Sequence, residues 1–288
     1  MVFRKYSRRG CLVLLILLFF SHCTGFLLRI GYQNLDIFLY RRIDNYFDLN
    51  AEQKAWVKAK LKDFLTWHRS QELVHYIAIL DEVIGYAKDG FILEEIEIIW
   101  RKVEERRDIL AAQLIPDAAY FLKTLTEEQI RHFEEKVEKE TKELEEEENL
   151  PLEKQEQRRM DRYLTNYEEW YGSLSKEQRD NLIFLAKKVP PLRKGLAAFR
   201  RQRMNEFLAH LRQKREDVNA TAALLRRYFI KPIENYPPER REHMLAFVTS
   251  FKKFLVEADQ LATYEQRANL LENLEKWRNR LRDLAFNP

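Results

Sequence analysis

The sequence predicts an all-α fold, a bundle of about eight to ten amphipathic helices behind an N-terminal signal or lipid anchor. Three observations predict it. Apolar residues recur at three- and four-residue spacing nearly everywhere beyond Phe26, with no alternating strand pattern. The 288 residues include only seven Gly and eight Pro, and 33% are charged; Glu, Lys, Arg, Leu and Ala, all strong helix formers, dominate the long stretches. A helix-start motif also recurs: Leu49-Asn50-Ala51-Glu52-Gln53, Leu125-Thr126-Glu127-Glu128-Gln129, Leu174-Ser175-Lys176-Glu177-Gln178, and a looser copy at Thr263-Tyr264-Glu265-Gln266.

Residues 1–22 have the three parts of a secretory signal. Arg4, Lys5, Arg8 and Arg9 form a basic region, and Cys11 to Phe20 is an apolar run too short to cross a bilayer core of roughly 30 Å. The following Phe20-Ser21-His22-Cys23 resembles the lipobox of bacterial lipoproteins, whose cysteine is acylated and becomes the first residue of the mature chain. The apolar residue and Ser21 fit that box; His22 stands where a small residue is usual. The resemblance makes Cys23 the lipidation site and the membrane a partner through it. Thr24, rather than Asp, points by the same resemblance to the outer membrane. The competing reading is an uncleaved anchor from Cys11 to Leu28, a stretch without Lys, Arg, Asp or Glu. Either way the basic leader stays inside and the bulk of the chain is exported.

Removal of the leader takes four basic residues and no acidic ones, leaving 46 Lys plus Arg against 46 Asp plus Glu. A neutral mature chain argues against nucleic acid, whose binding needs a basic excess on one face. The only two cysteines are Cys11 in the apolar run and Cys23, so the mature domain offers no disulfide. The domain layout expected is 1–22 signal peptide, 23–48 lipidated N-terminus and first helix, and 49–288 helical domain, with two subdomains dividing near 150–190 as an option.

Each start motif puts Asn, Thr or Ser where its side chain accepts a first-turn N–H, with Gln three residues on to reach back; this is a capping box. Pro116, Pro151, Pro190-Pro191, Pro232 and Pro237-Pro238 supply the stops. The resulting helices lie near 33–46, 51–88, 92–114, 117–124, 127–149, 152–171, 176–188, 192–230, 239–261 and 264–285. In the first, Tyr32, Phe38, Tyr40, Tyr46 and Phe47 lie among Leu residues; packing into the core is favoured over lying on the membrane surface. In 192–230 an apolar stripe from Met204 to Phe229 is surrounded by Arg200, Arg201, Arg203, Arg212, Arg215, Arg226 and Arg227, while 134–148 holds nine Glu and three Lys. Both are read first as solvated helix faces, and otherwise as docking on each other or on partners.

The chain has no Gly-rich phosphate loop, Gly-x-Ser-x-Gly elbow or Cys-x-x-Cys pair, so no motif calls for a cofactor or names a catalytic residue. One cluster has the spacing for chemistry. His68, Glu72 and His75 fall on one face of a straight helix, inside the stripe of Val57, Leu61, Phe64, Leu65, Tyr76, Ile79 and Val83. Buried, they would hold a divalent metal or let Glu72 act as a base; the commoner outcome is a satisfied polar patch at a helix crossing.

Two resemblances complete the reading. The run from Cys23 through Asn34-Leu35-Asp36, Arg41 to Leu49, Glu52-Gln53 and Trp67-His68-Arg69 is similar to an uncharacterised family of Gram-negative lipoproteins, with Tyr46-Phe47-Asp48-Leu49 followed by Glu52-Gln53 the most specific part. It implies an envelope location. The Leu-Thr-x-x-Gln pattern at 125–129, with its variants, resembles the motif of small helical periplasmic chaperones. The expectation is a membrane-tethered, non-enzymatic protein that binds envelope proteins as a chaperone-like or scaffolding factor; the alternative is a metal-dependent envelope enzyme using His68, Glu72 and His75.

Overall fold

The computed structural model describes residues 32 and 34–286, so Cys23 and the leader lie outside the described residues. Its spine is a long helical hairpin. The first arm runs from the Asn50 cap: α2 (Ala51–Trp67), a π-helical turn (His68–Glu72) and α3 (Leu73–Ala87) form one rod about 55 Å long, with α1 (Leu35–Phe47) beside α2. The return arm is α4 (Leu93–Lys123). Contacts fix the antiparallel register along the whole length: Lys102 with Glu82 at 2.5 Å, Arg106 with Glu72 at 3.6 Å, Lys60 with Asp117 at 3.0 Å, and the Trp56 ring 5.4 Å from Tyr120.

Two lobes are built on this spine. The first gathers α1, α2, the second half of α4, α5 (Glu127–Glu148), α8 (Leu196–Lys214) and α9 (Val218–Phe229) around Leu49, Val57, Ile115, Ile130, Leu211 and Leu225. The second packs α6 (Leu152–Tyr171), α7 (Lys176–Lys187) and α10 (Pro238–Asp259) around Met160, Leu164, Leu182, Ala186 and Phe254. Helix α11 (Tyr264–Phe286) runs antiparallel to α3, with Leu281 and Leu284 on Leu73 and Ile77, and Leu270 and Leu274 on Ile84 and Ala87. The all-α bundle read from the sequence is therefore the fold observed.

The four start motifs do more than begin helices. They associate in two pairs. Gln53 and Gln129, both buried, bond reciprocally: Gln53 Nε2 donates to Gln129 Oε1 at 3.1 Å and Gln129 Nε2 to Gln53 Oε1 at 2.7 Å. Each also reaches the segment leading into the other's helix, Gln53 donating to the Thr124 carbonyl at 3.1 Å and Gln129 to the Asp48 carbonyl at 3.0 Å. In the second lobe Gln178 Nε2 donates to Gln266 Oε1 at 2.7 Å and to the Leu261 carbonyl at 2.8 Å, while Gln266 Nε2 donates to the Ser173 carbonyl at 2.8 Å. All four Gln Oε1 atoms still accept the backbone N–H of their own cap residue, at 3.0–3.1 Å. The looser copy at Thr263 is thus a complete box.

Three expectations need correction. Pro116 does not stop a helix; it sits inside α4, whose burial of Leu110, Ala111, Ile115, Ala119 and Leu122 offsets one lost backbone hydrogen bond. The segment 192–230 is two helices, because Asp217 caps a new start by accepting the Ala220 N–H at 2.9 Å. The Arg-rich and Glu-rich faces are not separate solvated surfaces. They form an antiparallel ladder between α8 and α5: Arg215 with Glu127 at 2.7 Å, Arg212 with Glu134 at 2.5 Å, Arg201 with Glu138 and Glu145 at 2.6 Å, Arg200 with Glu140 at 2.7 Å, and Arg193 with Glu147. Exposed pairs contribute at most about 1 kcal/mol each, so the ladder selects register more than it adds stability. α1 packs as favoured, Phe47 stacking on Phe133 at 4.8 Å.

A buried carboxylate ties the second lobe to the hairpin loop. Asp259, 1% exposed, accepts from Tyr171 Oη at 2.6 Å and from the Phe91 N–H at 2.9 Å, and pairs with Arg267. The loop reaches it because Gly90 adopts a φ of +92°, with the Arg267 guanidinium and Asp259 carboxylate only 3.3 Å from where a Cβ would stand.

Gln53→Ala and Gln129→Ala should each cost about 1–3 kcal/mol in urea unfolding, because each leaves buried amide and carbonyl groups unpaired. The double variant should cost clearly less than the sum; additive losses would show that the two amides do not act as a unit. Asp259→Ala should cost about 3–5 kcal/mol by stranding Arg267, read in the same assay.

Candidate functional site in the molecular waist

The π turn sits at the middle of the first arm, between the lobes, and its cause is legible in the apolar spacing. Val57, Leu61, Phe64 and His68 follow a helical stripe; Leu73, Ile77, Leu80, Ile84 and Ala87 form another. The step from His68 to Leu73 is five residues, one more than an α-turn accommodates, and a single wide turn absorbs it so that both stripes face inward. Such insertions recur at functional sites.

The same insertion breaks up the predicted triplet. His68 and Glu72 are buried, 2% and 3% exposed, while His75 points to solvent. His75 lies two residues past Leu73, on the far side of the stripe, where a straight helix would have kept it on the buried face. Among the described residues no group of three or more His, Cys, Asp or Glu is placed to hold a metal ion.

His68 lies against Phe64 and Tyr76, and its Nδ1 is 2.8 Å from the Tyr32 hydroxyl. With that hydroxyl donating to Nδ1, the ring proton sits on Nε2, a buried atom with no hydrogen-bond partner. The Arg69 guanidinium covers the outer face of the Tyr32 ring at 5.5 Å. Glu72 faces Arg106 across 3.6 Å through Oε1, and its Oε2 is buried and unpaired. Burial pushes the His68 imidazole down to about 4, keeping it neutral, and pushes the Tyr32 phenol up to about 12. Burial raises the Glu72 carboxyl too, with Arg106 and His75 pulling the other way. The result is a neutral imidazole and a carboxyl group side by side in a buried setting. The sequence had given no sign of Tyr32 or Arg106 as their neighbours, since those contacts span 36 and 34 positions of chain.

Elsewhere an open trough of about 600 Å³ runs along α10, lined by Pro238, Arg241, Glu242, Leu245, Ala246 and Thr249. A second, smaller recess of about 310 Å³ lies where α8 and α9 meet the 3-10 turn at Pro232–Asn235, with the Arg203 guanidinium 3.9 Å above the Tyr228 ring. Among the described residues no helix is long and apolar enough to cross a membrane.

The two buried groups predict opposite pH effects. His68, with its folded pKa depressed, stabilises the fold above about pH 6.5, and that stability is lost as pH falls toward 4. Glu72, with its folded pKa raised, destabilises the fold at neutral pH and recovers as pH falls. In urea titrations from pH 7.5 to 4.5, His68→Gln should remove up to about 3 kcal/mol of acid-linked loss, and Glu72→Gln should make that loss steeper than in the native chain. Parallel curves for all three proteins would contradict both assignments.

No curated protein and no solved structure matches this chain. A family model does, over residues 45–241, which begins at the Asn45-Tyr46-Phe47-Asp48-Leu49 run and takes in the first glutamine pair, the waist and the Arg–Glu ladder. The chain belongs to the family of unknown function DUF6279.

Proposed function

We propose that the protein is a membrane-tethered helical factor of the bacterial cell envelope that binds other envelope proteins, as a chaperone or scaffold. The observation that carries the binding role is the trough on α10. It is open and shallow, and Leu245, 51% exposed, Ala246 and Thr249 line it between the charged Arg241 and Glu242. Small-molecule sites enclose most of their ligand, whereas this shape suits an apolar stretch of another polypeptide. Further large apolar side chains stand in solvent on other helices, among them Leu152 at 83% and Phe184 at 63%. The tether rests on the sequence: a basic and apolar leader ending at Cys23, and no other cysteine in the mature chain. The Leu-Thr-x-x-Gln pattern at 125–129, with its variants at 49–53 and 174–178, adds a likeness to helical periplasmic chaperones, although helix capping alone accounts for those residues.

Two assays test the two halves of this reading. In a bacterial host, the native chain should incorporate labelled palmitate and Cys23→Ser should not; equal labelling would remove the tether. The chain should also suppress aggregation of an unfolded client, and Leu245→Asp should reduce that suppression several-fold without lowering thermal stability. No suppression by the native chain, together with no defined crosslinked partner in intact envelopes, would remove the binding role.

A second reading draws on the buried, unpaired His68 Nε2 and Glu72 Oε2: a metal-dependent envelope enzyme centred on the waist. Stoichiometric Zn, Fe or Mn in protein purified without chelator, lost in His68→Ala, would favour it over the first.

A further inference from the structure

We propose that the waist of the molecule is a lipid-facing surface that lies against the membrane when the chain is tethered; the inference rests on the tether at Cys23. Three observations converge on it. The first is where the chain enters. Tyr32 is pinned at the π turn by its contact with His68 and by packing near Leu73 and Leu281, so the segment leading from Cys23 reaches the protein at the middle of the spine and not at the tip of a lobe. Tyr32 is nine residue steps from Cys23, a reach of at most about 32 Å, so a lipid on Cys23 keeps the waist close to the headgroups.

The second is what the waist exposes. α1 runs antiparallel to α2, with Tyr40 over Lys58 and Asp44 near Lys54, so its start points toward the π turn. α11 runs antiparallel to α3 and ends there too. The start of α1 and the end of α11 thus both point toward the place where the chain enters, and they expose Ile37 at 44% and Phe286 at 65%. The third is the tether sequence. Phe26, Leu27, Leu28 and Ile30, with Arg29 among them, have the composition of an interfacial segment. A tether this short gives a high effective concentration of lipid at the patch, so a few exposed apolar side chains suffice for contact. Held this way, both lobes flank the anchor, and a partner approaches them from the side.

The test uses the full chain, acylated in the bacterial host and reconstituted in phosphatidylethanolamine–phosphatidylglycerol vesicles with brominated acyl chains. Environment-sensitive fluorophores are placed through Ile37→Cys or Phe286→Cys in a Cys11→Ser background, with Phe184→Cys and Leu245→Cys as comparably exposed apolar positions outside the waist. Bromine quenching of at least about two-fold is expected at 37 and 286 and little at 184 and 245. Equal quenching at all four positions would overturn the proposal. So would labels at 37 and 286 that are shielded from both bromolipid and aqueous iodide, since another part of this chain or a second copy would then cover the patch. Flotation without quenching at the waist strikes this surface alone. Failure of the chain to float with vesicles at all strikes the tether, and this surface with it.

Discussion

Four helix starts held in two glutamine pairs are the constraint on which the rest of the molecule depends. A glutamine amide carries one acceptor and two donors, and buried it must satisfy them. Here the oxygen accepts the cap N–H of its own helix, and the nitrogen donates to the partner amide and to a carbonyl leading into the partner's helix. Each amide thus ties two helix starts together at a fixed distance, and in a dry setting an error of about 1 Å would leave donors orphaned. The two lobes use this joint in the same way: Asp48 and Ser173 supply one carbonyl, Thr124 and Leu261 the other. Residues 49–53 and 125–129 thereby lock the ends of the long hairpin across more than 70 positions of sequence.

With those joints set, the remaining interactions divide into packing that supplies stability and charge that selects arrangement. Leu182, Leu211, Ile130 and Ala119 are fully buried, and burial of such side chains contributes about 1.5–3 kcal/mol each for the larger ones. The α5–α8 ladder is mostly half-exposed; its value lies in opposing Glu to Arg at every turn, so that a slipped register would face like charges. Asp259 is different. Fully buried and bonded to Arg267, Tyr171 and the Phe91 N–H, it joins the hairpin loop to α10 and α11, and it can be kept only because every partner is in place.

The waist is where this order is locally relaxed. One extra residue forces a wide turn, and around it lie a neutral histidine and a carboxyl group whose outer atoms have no partner. Tyr32, where the described chain begins, and the end of α11 come together there. The tether proposed above would concentrate anchorage at this one place and leave the trough on α10 turned toward other molecules. The buried His68 and Glu72 and the trough on α10 are thus on different parts of the fold.

Most helices were legible in the sequence because capping boxes and apolar periodicity are local: the starts at Asn50, Thr126, Ser175 and Thr263 and the all-α class follow from residues within a few positions of one another. The expectation of a leader ending before Cys23 rests on the same kind of local signal. Pro116 misled because its local cost is outweighed by burial of residues around it, and Asp217 was overlooked as a cap because the apolar stripe runs past it. The five-residue step from His68 to Leu73 was present in the sequence, but only the need of α2 to face α1 while α3 faces α11 turns it into a π turn and sends His75 to solvent. The pairing of glutamines, the docking of Arg on Glu, and the meeting of Tyr32 with His68 belong to tertiary structure alone. Local capping energies say nothing about which of several equivalent starts will be neighbours; that is decided by how long rods bury their stripes together.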